Sequence, residues 1–70
     1  MTLLEKAAHF YRTDVETIDN FAMAFFSATS PESGNLIIEQ FLELHTDKVC
    51  EQTVVDAFSF LEEYCKEYLI

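Results

Sequence analysis

An all-α fold, a small antiparallel bundle of four or five short helices forming a single helical domain over residues 1–70, is what this sequence predicts, and three observations carry it. Apolar residues recur at helical spacing along the whole chain, cap-forming residues precede each periodic stretch, and glycine and proline occur once each. No alternating strand pattern survives between the caps. Short connections then imply antiparallel neighbours.

The first helix starts at Thr2-Leu3-Leu4-Glu5, a capping box in which the Thr2 hydroxyl and the Glu5 carboxylate each take a free backbone N–H. Leu3, Leu4, Ala7, Ala8 and Tyr11 form its apolar stripe, while Glu5, Lys6, His9 and Arg12 face away. Thr13-Asp14-Val15-Glu16 repeats the capping pattern, so this helix stops near Arg12 and a second begins. Helix two opens with Glu16, Asp19 and Asn20 opposite Val15 and Ile18, then carries no charge from Phe21 to Ser30. A helix apolar all round is surrounded by protein, which puts Phe21, Ala22, Met23, Phe25 and Phe26 at the centre of the fold or in a contact.

Ser30-Pro31 ends that segment and opens helix three, proline suiting a first helical position. Pro31 to about His45 gives an apolar side of Leu36, Ile37, Phe41, Leu44 and His45, widened by Ile38 and Leu42, and an acidic ridge of Glu32, Glu39, Glu43 and Asp47. Thr46 or Asp47 caps the next helix, and Thr53-Val54-Val55-Asp56 offers a break before the run to Tyr68; hence four or five helices. The last stripe is Val54, Ala57, Phe58, Leu61, Cys65 and Tyr68, with Phe60, Tyr64 and Leu69 beyond it and Asp56, Glu63 and Glu67 aligned as a second ridge.

Composition narrows function. Thirteen acids against four Lys or Arg give a formal charge of -9, which repels phosphate backbones and anionic lipid, because nucleic-acid binders draw affinity from basic side chains displacing counterions. Direct nucleic-acid or membrane binding is disfavoured, and a protein with a basic surface is the complementary partner. The N-terminal residues lack a signal-peptide pattern, and no stretch reaches the roughly 18 apolar residues of a membrane span, so a cytoplasmic location is expected. Cys50 and Cys65 read as reduced core thiols, about 22 Å apart if one helix carries both.

No catalytic residues are expected. The histidines are isolated, the acids are scattered, and the lone Gly34 cannot build a phosphate-cradling loop. His9, His45, Cys50 and Cys65 include zinc-ligand types without the close paired spacing such sites use, so no metal and no cofactor are expected.

Aromatics are the remaining signal. Phe10, Phe21, Phe41 and Phe58 read as core, whereas Phe25-Phe26 and Phe58-x-Phe60 cannot direct every ring to one core. Phe26, Phe60, Tyr64 and Tyr68 are therefore the expected anchors in a partner contact, with Glu39, Glu43, Asp56, Glu63 and Glu67 steering a basic partner. A chain this short with so large an apolar load favours a homodimer.

The function expected is a non-enzymatic, acidic protein-binding module that inhibits or adapts a larger protein by occluding its surface. By compositional analogy such chains are encoded by phages or other mobile elements. Two alternatives use the same residues: a nucleic-acid mimic acting through its acidic ridges, and a structural subunit or chaperone-like cap for a helical partner.

Overall fold

The helices begin where side chains supply acceptors for backbone N–H groups that have no partner inside the helix. The computed structural model describes residues 1–70 and places α1 at Leu3–Phe10, α2 at Val15–Ser27, α3 at Pro31–His45 and α4 at Glu51–Tyr64. At α1 the Thr2 hydroxyl accepts from the Glu5 N–H at 3.1 Å, and Glu5 accepts from the Thr2 N–H at 3.0 Å. Asp14 accepts from Thr17 at 2.8 Å ahead of α2, and Ser30 from Ser33 at 3.1 Å ahead of α3, whose first turn holds Pro31. The Thr2 backbone bond holds the Glu5 carboxyl below its usual range, and the Thr17 bonds do the same for Asp14.

The helix ends are equally local. Arg12 adopts φ 57°, and around it the Thr13 N–H reaches the Ala8 carbonyl at 2.9 Å and the Arg12 N–H that of His9 at 3.2 Å. Those two bonds are a Schellman motif, with arginine at the left-handed position that usually holds glycine.

The expected cap of the fourth helix is corrected. Thr46 instead closes α3, its hydroxyl donating to the Leu42 carbonyl at 2.6 Å, and Cys50 is the residue at the head of α4. Thr53 marks no break: its hydroxyl accepts from the Cys50 N–H at 2.9 Å and donates to the Cys50 carbonyl at 2.8 Å, so it belongs to the first turn. The helices are therefore four, and α4 passes at its end into a π-helical turn, Cys65–Leu69.

α1 packs on α2 and α4, and α3 packs on the same two, which closes a four-helix bundle around one core. Ile18, Ile38, Leu42 and Leu61 are its largest fully buried side chains, with Ala22 and Ala57 sealed between them. The Cα radius of gyration, 11.2 Å, equals the roughly 11 Å expected for a folded chain of this length.

Two apolar stripes are rotated from their expected positions. On α3 the core takes Gly34, Ile38, Phe41 and Leu42, while Leu36 is exposed and Leu44 is 81% exposed. On α4 it takes Ala57, Phe60, Leu61 and Tyr64, which turns Phe58 outward. Phe10, also expected in the core, is 65% exposed, and Met23 lies on the surface of α2. No helix is long and apolar enough to cross a membrane.

Candidate functional site

The aromatic rings connect in one path through the molecule. From Phe10 and Tyr11 at the end of α1 it crosses Phe41 and Phe21, stacked at 4.0 Å, reaches Phe60 and Tyr64 on α4, and emerges at Phe26 and Tyr68. Its two ends open on different faces, and each end lies beside a groove.

At the α2/α4 face, Phe58 meets Phe25 edge-on at 6.0 Å, Phe25 meets Phe26 at 5.1 Å, and Phe26 stacks on Tyr64 at 5.9 Å. Tyr68, carried by the π-helical turn, lies 4.9 Å from Tyr64. Phe26, Phe58 and Tyr68 remain 38%, 42% and 47% exposed. Two grooves share Phe25, Phe26 and Phe58: one runs over the start of α3 past Ser30 and Gly34, the other runs beside Leu61, Cys65 and Ile70. The rim of the second holds Glu62 and Lys66, paired at 3.4 Å in water, an exposed pair that contributes little.

Of the four expected anchors, Phe26 and Tyr68 stand at this surface, whereas Phe60 and Tyr64 are buried within the bundle. Phe58, expected in the core, stands exposed where Phe60 does not. Once neighbouring helices select the face of Ala57, Leu61 and Tyr64, Phe60 borders it and Phe58 falls outside. Tyr64 instead braces the face from behind, its hydroxyl donating to the Asp19 carboxylate on α2 at 2.9 Å. Burial first, then Asp19, holds its phenol above the usual tyrosine value.

The acids divide. Glu32, Glu39 and Glu43 are exposed along α3, but the expected ridge stops there, because the helix ends at His45 and Asp47 lies exposed beyond its cap. Asp56 is half-buried, Glu63 is exposed, and Glu67 lies in the π-helical turn, whose i→i+5 bonding puts more residues in each turn and takes it off the α4 register. Asp56 and Glu63 line a groove of about 350 Å³ between α1 and α4, with Lys6, Phe10 and Tyr11 among its other walls.

The cysteines are not core thiols: Cys50 is exposed and Cys65 half-buried, both free. Hydrogen bonds from Thr53, with help from Lys48, draw the Cys50 thiol below its ordinary value. His9 is exposed, and His45 lies 4.5 Å from the Phe41 ring. No three His, Cys, Asp or Glu side chains converge in a way that could hold a metal ion.

Comparison with family models, curated proteins and solved structures finds no match to this chain.

Proposed function

We propose that this chain is a non-enzymatic protein-binding module that occludes a surface of a larger, basic partner through the α2/α4 aromatic face. One observation carries the reading: Phe26, Phe58 and Tyr68 form a contiguous half-exposed surface, each ring backed by another ring and not by a flexible chain. Rigid aromatic side chains lose little conformational freedom on binding, which makes them efficient anchors. The accessible surface of 4916 Å² also exceeds the roughly 4,500 Å² typical of a monomer of this mass. A net charge of -9 supplies the field that steers a basic partner and rejects acidic ones.

The test is capture with the double variant Phe26→Glu/Phe58→Glu. Both side chains are exposed enough for the fold to persist, which circular dichroism checks. A partner retained by the wild-type chain and lost by the variant supports the reading, and equal retention refutes it. If neutralising Glu39, Glu43, Asp56, Glu63 and Glu67 abolishes capture while the aromatic variant does not, charge mimicry replaces it.

A second reading pairs two copies through the same face. The small core of a chain this size favours it, and the like charge of the copies opposes it. Light scattering at tens of micromolar, giving a dimer mass for the wild type and a monomer mass for the double variant, would establish it.

A further inference from the structure

The groove between α1 and α4 displays hydrogen-bonding and charge capacity that the chain itself leaves unused. Tyr11 is only 4% exposed, its ring fixed by Phe10 at 4.9 Å and Phe41 at 5.0 Å. Its hydroxyl makes no hydrogen bond within the chain, yet no unpaired polar atom is sealed from water, so this one is reachable by solvent on a residue that lines the groove. Asp56 lines the same groove as Tyr11, and burial, then the charge of Asp56, raises the Tyr11 phenol above its usual value. Asp56 itself accepts only from Gln52, one turn back on α4, at 2.9 Å.

The lip is negative. Asp56 and Glu63 face Lys6, and Lys6 pairs with neither, since the one ion pair in the chain is Lys66–Glu62. The walls are apolar where the lip is charged: Leu3, Ala7, Phe10 and Phe60 line the groove, with Ser59 between the two acids. An occupant must therefore combine an apolar stem with a cationic, multiply donating head.

We infer that this groove receives an arginine side chain of a protein partner, its guanidinium on Asp56 and the Tyr11 oxygen and its stem against Phe10. Arginine fits better than lysine because its planar fork serves a carboxylate and neighbouring oxygens together and stacks on an exposed ring. Asp56 and Glu63 are two turns apart, about 10 Å along the axis. One guanidinium thus engages Asp56, while Glu63 adds field at the other end of the groove. The inference rests on the reading of the chain as a protein-binding module but uses a face separate from the α2/α4 aromatics.

The experiment titrates the whole protein, followed by its amide NMR spectrum at low salt, with acetyl-Gly-Arg-Gly-amide and with the neutral citrulline counterpart. Saturable shifts confined to α1 and the middle of α4 are expected, with a dissociation constant on the order of millimolar for one side chain. Citrulline, or Asp56→Asn, should weaken binding about tenfold or more, as loss of a charge-assisted bond requires. Tyr11→Phe, which keeps the ring, should weaken it roughly two- to fivefold. Equal binding of the citrulline peptide, equal binding of a lysine peptide, or unsaturable shifts spread along the α3 ridge would each overturn the assignment. No partner protein enters this titration, so its failure leaves capture through Phe26 and Phe58 standing, and the reverse holds.

Discussion

Two tyrosines are buried almost equally in this bundle and have opposite surroundings. Tyr64, on α4, hands its proton to a hydrogen bond with Asp19 and closes the seam between α2 and α4. Tyr11, just past the end of α1, is as well packed but has no partner for its hydroxyl, and it shares an open groove with Asp56. The lesson is that burial measures packing, while hydrogen-bond satisfaction separates structural polar groups from available ones. The seam uses its tyrosine for stability, and the groove keeps the same chemical group free.

The largest effect expected is from Tyr64→Ala, which removes a core ring and the Asp19 bond together. A loss of about 3–5 kcal/mol would consume much of the roughly 4–10 kcal/mol available to a domain of this length, and denaturant unfolding measures it. Tyr64→Phe leaves the half-buried Asp19 carboxylate without its donor and should cost about 1–2 kcal/mol. Tyr11→Phe removes a hydroxyl with no partner and should stay within about 0.5 kcal/mol. Equal costs for the two phenylalanine variants would erase the contrast.

Alkaline titration sharpens it. Both phenols are held above their usual pKa of 10.0, so the folded state keeps protons that the unfolded chain releases. The stability they contribute is fully present below pH 10 and drains away as pH rises through the raised values. Melting temperature should therefore fall above pH 10, and each Tyr→Phe variant should flatten its share of that decline.

One substitution is expected to give a gain. Arg12→Gly relieves a left-handed arginine next to Tyr11 and should stabilise by up to about 1 kcal/mol without altering the groove.

The parts of the fold legible in the sequence are those built by residues a few positions apart. Thr2 with Glu5 and Ser30 before Pro31 announce helix starts because caps act within a turn, whereas the Thr13–Glu16 pattern points to the second start one residue early, Asp14 making the cap with Thr17. Stripe rotation was not legible. Helix α3 offers Leu36, Ile37, Ile38, Phe41, Leu42 and Leu44, enough apolar side chains for several faces, and only the neighbouring helices select Ile38 and Leu42. The same ambiguity exchanged Phe58 and Phe60. Thr46 was misassigned because a hydroxyl can cap either end of a helix, and a short linker to Cys50 lets it close α3. Neither tyrosine environment was legible either, since Tyr64 and Asp19 are 45 residues apart and the α1/α4 groove joins opposite ends of the chain.

Gly34 has a consequence for how the α2/α4 face could diversify. A Cβ placed there would come within 3.1 Å of the Phe25 ring, which in turn abuts Phe26 and Phe58. One missing methyl at a buried position of α3, beneath the groove, thus leaves the room in which the Phe25 ring sits. Changing that single hidden position would reshape the outer relief while every visible residue stayed the same, a route by which recognition can drift without any substitution at the surface.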